Sequence, residues 1–170
     1  MEDKAAKIKL LCLDVDGVMT DGRITINAQG EEIKTFDVKD GQGLKMLMSS
    51  GVEVVIISGR KSPVLAHRAK DLGIDRLYQG VDDKKALCRR LIKEKGLDKD
   101  QVCSMGDDLP DLTMFSESGL RIAVADAVKE VRGAADFITK SRRGRGAVRE
   151  ACEWLLKCQG NWNEALTAFS

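Results

Sequence analysis

Apolar runs of strand length alternate along the chain with stretches of helical periodicity. The strand-like runs are "IKLLCLD" (8–14), "VEVVIIS" (52–58), "DRLYQ" (75–79), "QVCSMGD" (101–107) and "LRIAVAD" (120–126). Nearly continuous apolar strands suit a parallel sheet buried on both faces. Between them lie "GQGLKMLMSSG" (41–51), "KSPVLAHRAKDLG" (61–73), "DDKKALCRRLIKEKG" (82–96) and "DLPDLTMFSESG" (108–119), most of them closed by the glycine that helix C-termini favour. A last helix over about 146–158 sets Val148, Ala151, Cys152 and Leu155 on one face, and the tail 159–170 reads as a short helix. Alternating strands and helices imply right-handed crossovers and an α/β fold with a doubly wound parallel sheet.

One stretch breaks the alternation. "GRITINAQGEEIKTF" (22–36) places Ile24, Ile26 and Ile33 around a turn-like "NAQG" and predicts a β-hairpin. Its apolar residues have no obvious place in a compact monomer, so the hairpin is expected to be an assembly surface. No repeat, low-complexity segment or linker divides the chain, and 170 residues suffice for one domain with a real core. The expectation is therefore a single domain over 1–170, with an inserted hairpin at about 22–36 and a C-terminal helix and tail at about 146–170.

Composition narrows the chemistry. Formal net charge is +1 with abundant charges of both signs, which argues against whole-molecule attraction to nucleic acid or an anionic membrane. No run reaches the roughly 18 apolar residues of a membrane span, and no basic start leads into a long apolar stretch. The five cysteines are scattered, odd in number and without a CxxC pair, as in a reducing compartment, and the expected location is the cytoplasm. His67 lies mid-helix and reads as a surface residue rather than a metal ligand.

In open α/β sheets ligands bind beyond the carboxyl ends of the strands. Four segments deliver chemistry to that rim: Asp14 and Asp16 in "DVDG", Ser58 in "ISGR", Lys84 after "GVDD", and Asp107, Asp108 and Asp111 in "GDDLPD". Each alone also fits a helix cap or a solvated turn. Together they concentrate carboxylates, and two unit charges about 4 Å apart repel by about 4 kcal/mol at an effective dielectric near 20. A cation is needed among them, and all-oxygen ligands without a His or Cys cluster favour a hard ion such as Mg²⁺. Beside such an ion and Lys84, Asp14 stays ionised and can act as a nucleophile.

In order and spacing these segments resemble the four motifs of the haloacid dehalogenase superfamily of phosphotransferases, over nearly the whole chain. The resemblance implies that Asp14 attacks phosphorus to form an aspartyl phosphate, while Asp16 protonates the leaving alkoxide and then deprotonates the attacking water. It implies that Ser58 and Lys84, with Gly59 beside them, hold the phosphoryl oxygens. Mg²⁺ is expected on Asp14, Asp107 and the backbone carbonyl of Asp16. Asp108 and Asp111 are expected just behind, orienting metal-bound water or Lys84. Neither gap between motifs has room for the cap domain of larger members, so a further subunit is expected to wall the site, in a homotetramer with hairpins gathered centrally.

Capless size, the hairpin and "GRGAVRE" (144–150) are similar to the branch of this superfamily that dephosphorylates an eight-carbon keto-sugar-acid phosphate in Gram-negative lipopolysaccharide precursor synthesis. The resemblance implies a small-molecule sugar-acid phosphate as substrate, with Arg60, Arg68 or Arg145 meeting its carboxylate. The alternatives are a nine-carbon, sialic-acid-like substrate, whose enzymes carry Glu where this chain has Arg60, and a noncatalytic assembly module that would be free to lose Asp14, Asp16 or Lys84.

Overall fold

The computed structural model describes residues 1–169. A short helix α1 (Glu2–Ala5) precedes β1 (Leu10–Leu13), and a hairpin of β2 (Thr25–Ile26) and β3 (Glu32–Ile33) follows. The chain then alternates through α2 (Val38–Ser49), β4 (Glu53–Ser58), α3 (Pro63–Leu72), β5 (Arg76–Gln79), α4 (Lys84–Glu94) and β6 (Val102–Gly106). It continues with α5 (Leu112–Phe115), β7 (Leu120–Ala123), α6 (Lys129–Ala134), β8 (Phe137–Ile138), α7 (Ala147–Cys158) and α8 (Trp162–Thr167). Six strands form one parallel sheet in the order β5-β4-β1-β6-β7-β8.

Strand alternation sorts the core into two layers. Leu11 and Leu13 of β1 face a cluster completed by Leu44 and Leu47 of α2 and Val148, Ala151 and Leu155 of α7. Leu10 and Cys12 face the opposite cluster with Leu87, Cys88 and Leu91 of α4 and Met114 of α5. Burial on both faces is why these strands read as unbroken apolar runs. The winding reverses at β1, which lies between β4 and β6, so a crevice opens at their carboxyl ends.

The expected elements are present, with boundaries moved by local chemistry. The helix expected at 41–51 begins at Val38, because Asp37 accepts a hydrogen bond from Lys39 N as its cap. Its two glycines then lie inside α2 rather than at its start, where they permit close packing: a Cβ on Gly43 would come within 3.0 Å of Arg149 Cα. The helix expected at 108–119 shortens to a 3-10 turn, Leu109–Asp111, and α5. α1, α6 and β8 are further elements that the periodicity did not signal, being too short for one. β8 is secured by Phe137 stacking on Trp154 of α7, ring centroids 4.3 Å apart.

The hairpin forms, pairing Thr25 with Ile33 and Ile26 with Glu32. Ile24, Ile26 and Ile33 are at least half exposed. His67 is exposed on α3, and no disulfide occurs among the described residues. Among those residues no helix is long and apolar enough to cross a membrane.

Candidate active site

The end of β1 places Asp14 in the crevice, where its backbone N–H donates to Met105 O at 3.1 Å and its side chain is buried. Lys84, first residue of α4, is also buried; its Nζ donates to Asp14 Oδ1 at 2.6 Å and to Asp111 Oδ1 at 2.8 Å. Asp111 spends its other oxygen on the backbone of the loop after β6, accepting from Asp107 N at 2.9 Å and Asp108 N at 3.3 Å. A lysine at a helix N-terminus is unfavourable against the dipole, and these two carboxylates supply the compensation.

One oxygen from each of Asp14, Asp107 and Asp111 lies within 4.8 Å of the others. Burial and the Asp111 carboxylate push Asp14 up to about 8, against the pull of Lys84. The same two causes push Asp107 up to about 7, with Arg143 opposing them. The pocket is thus short of positive charge. Asp107 Oδ1 is buried without a hydrogen-bond partner among the described residues. An orphaned carboxylate oxygen in an all-oxygen donor set fits a hard divalent cation, with Asp14 and Asp107 as its ligands and Asp111 occupied by Lys84 and two amides. Gly17, at φ +102°, makes room: a Cβ there would run into the Asp107 carboxylate.

Ser58 ends β4 as a buried hydroxyl accepting from Arg60 N at 3.2 Å, and Gly59 follows it, where a Cβ would lie 3.7 Å from Val81 O. Asp16 lies outside the acidic trio. Its carboxylate accepts from Lys34 and lies 3.8 Å from Arg60 Nε. Glu32 joins this group, 3.2 Å from Arg60 Nη2 and 3.3 Å from Lys34 Nζ. Asp108 is exposed and accepts from Leu109 N at 2.8 Å; Asp111, not Asp108, orients Lys84.

The arginines divide. Arg60 is at the crevice. Arg68 instead bonds Asp71 at 2.7 Å, lies 5.7 Å from the Phe36 ring centroid and packs over Gly41 of α2, because its position on α3 turns it toward that helix. Arg145 is exposed and makes no ion pair among the described residues, whereas Arg143 reaches Asp107, Nη1 to Oδ2, at 3.2 Å. Sequence reasoning missed Arg143, Lys34 and Glu32. The first lies in a basic segment where nothing local marks which arginine turns inward, and the other two lie on either side of Ile33 in the hairpin.

The fold and the trio define a class, and comparison with known proteins agrees. Residues 77–151 match the family model of haloacid dehalogenase-like hydrolases, and the chain belongs to the haloacid dehalogenase family. It is 42% identical over 160 residues to the 3-deoxy-D-manno-octulosonate 8-phosphate phosphatase of Haemophilus influenzae, covering 94% of this chain and 89% of that protein. The enzyme of that name from Escherichia coli strain K12 is 44% identical over 162 residues, covering 95% and 86%. The crystal structure of the Moraxella catarrhalis enzyme, in complex with magnesium ion, phosphate ion and KDO, superposes with a TM-score of 0.96 at 43% identity, covering 99% of this chain and 97% of that one.

Proposed function

We propose that this chain is a Mg²⁺-dependent phosphatase that hydrolyses 3-deoxy-D-manno-octulosonate 8-phosphate to the free sugar acid and phosphate, in lipopolysaccharide precursor synthesis. The observation that carries the reading is Asp14 at the carboxyl end of the central strand, 2.6 Å from Lys84 and sharing a buried all-oxygen pocket with Asp107. The names of relatives at 42–44% identity over nearly the whole chain support the substrate.

Asp14 attacks phosphorus through a carboxylate oxygen, and the bond from phosphorus to the sugar oxygen breaks. Asp16 gives the leaving alkoxide its proton, then takes one from the water that attacks the aspartyl phosphate, so that inorganic phosphate leaves and both aspartates return to their starting state. Lys84 and the Ser58 hydroxyl hold phosphoryl oxygens through this exchange. Asp14, Asp107 and the Asp16 carbonyl would hold Mg²⁺, which would supply charge compensation for the nucleophile and the phosphoryl group. Arg60 is the arginine of the expected set that stands beside Asp16, so it is assigned to the substrate carboxylate, exchanging Glu32 for it.

The exposed isoleucines of the hairpin support a homotetramer with hairpins gathered centrally and a neighbouring subunit walling the site. Unpaired cysteines support a cytoplasmic location. Phosphate release from the eight-carbon substrate and from a nine-carbon keto-sugar-acid phosphate tests the reading on one preparation. Higher kcat/KM for the eight-carbon compound, lost on chelation and in Asp14→Asn, is expected. Equal turnover of both, or activity retained by the variant, would overturn it.

A further inference from the structure

The two oxygens of Asp107 have unequal surroundings. Oδ2 lies 3.2 Å from Arg143 Nη1, while Oδ1 is buried with no hydrogen-bond partner among the described residues. Arg143 is itself fixed from several sides. Its backbone N–H donates to Asp126 Oδ1 at 3.0 Å, its Nε lies 3.3 Å from Asp126 Oδ2, and its Nη2 donates to the Asp126 carbonyl. The next residue, Gly144 (φ +60°), donates to Val18 O at 3.0 Å and presses on the backbone at Thr20 and Asp21, where a Cβ would collide. The basic segment is thus stapled to the loop that follows Asp14, and the Arg143 guanidinium ends on one oxygen of Asp107.

We propose that Arg143 is a positioning residue for the metal site: oriented by Asp126, it holds Asp107 by Oδ2 so that Oδ1 is the atom offered to the divalent cation. This rests on the reading of Asp107 as a metal ligand. Two effects compete. A guanidinium so near the carboxylate opposes a second cation by charge, yet it also keeps the carboxylate from rotating and turning both oxygens toward Asp14 and Asp111. Positioning wins, because an outer-shell partner typically contributes about 10- to 100-fold to metal affinity, and the forked planar guanidinium can grip Asp107 and Asp126 at once.

The test is calorimetric titration of the purified protein with Mg²⁺ alone, alongside the rise in thermal midpoint on Mg²⁺ addition. Arg143→Met is expected to weaken Mg²⁺ binding by about 10-fold or more. Arg143→Lys, which keeps charge but not the fork, should recover part of that loss, and Asp126→Asn should weaken binding a few-fold through loosened Arg143. A merely structural role would lower the metal-free midpoint of all three variants and leave Mg²⁺ affinity unmoved, which would overturn the proposal. Equal or tighter binding by Arg143→Met would also overturn it, marking Arg143 as a competing cation. If the wild-type protein bound no Mg²⁺, the metal site and this proposal would fall together; if only the variants matched wild type, this proposal would fall alone.

Discussion

Lys84 is the residue on which the charge balance of the pocket turns. It holds two buried carboxylates from different elements, Asp14 and Asp111, and stays protonated: burial opposes its charge, but the two aspartates outweigh that and raise its pKa. Replacing it with Met leaves both carboxylates buried without their cation. Removing one partner of a buried charged set costs about 3 kcal/mol or more, so urea unfolding of Lys84→Met without metal should show a loss of that order, with phosphatase activity lost as well. Mg²⁺ should restore part of the stability, since it supplies positive charge to the same pocket. A variant as stable as wild type without metal would contradict the description of the trio as short of cations. At this scale the motif residues were legible because chemistry constrains both their type and their place at strand ends. Arg143, Lys34 and Glu32 were not, because nothing local distinguishes a charge that points inward from one that points to solvent.

At the scale of elements, α7 is anchored by a carboxylate remote in sequence. Gly146 precedes the helix and has no side chain to cap it, and Asp40 of α2 serves instead, its buried Oδ1 accepting from Arg149 N at 2.8 Å. Burial pushes Asp40 up to about 6, with Asp37 adding like charge and backbone amides of α7, Arg149 N foremost, opposing it. The folded protein therefore holds this proton more tightly than the unfolded chain, whose aspartates titrate near 3.9. Its contribution is full below about pH 4 and is lost as pH rises through about 6, on the order of 3 kcal/mol in all. Asp40→Asn keeps an acceptor without the charge. Relative to wild type it should gain stability between pH 4.5 and 7.5 in urea unfolding, whereas Asp40→Ala should lose about 1 kcal/mol of capping at the lower pH. A pH-independent difference between wild type and Asp40→Asn would mean that Asp40 does not titrate in this window. Periodicity predicted α2 and α7 but not their coupling, since a cap supplied from another helix leaves no trace beside the helix it caps.

The whole molecule poses the question of what covers the hairpin. Ile24, Ile26 and Ile33 remain in water, while Glu32 and Lys34, flanking Ile33, reach Arg60 and Asp16 in the crevice. An assembly built on the isoleucines would therefore also order the strand that touches the site. In the proposed tetramer, Ile26→Asp is expected to shift the protein's mass in light scattering from tetramer toward smaller species, and to raise KM more than it lowers kcat, because the proposed subunit wall would be lost while Asp14 and Lys84 stay in place. An unchanged tetramer would remove the hairpin from the interface. The hairpin was legible in the sequence as an element, as were the alternating strands and helices of the sheet.

Taken alone, the sequence determined the order of strands and helices and the identity of the groups at the strand ends, because apolar periodicity and motif spacing are local properties that survive in one dimension. Only the tertiary structure decided which charges meet: that Arg143 rather than Arg145 reaches Asp107, that Arg68 turns to α2, and that Lys34 closes on Asp16. The physical reason is that the partner of a charge is set by the path of the backbone through space, and an arginine facing water and one facing a carboxylate are spelled alike.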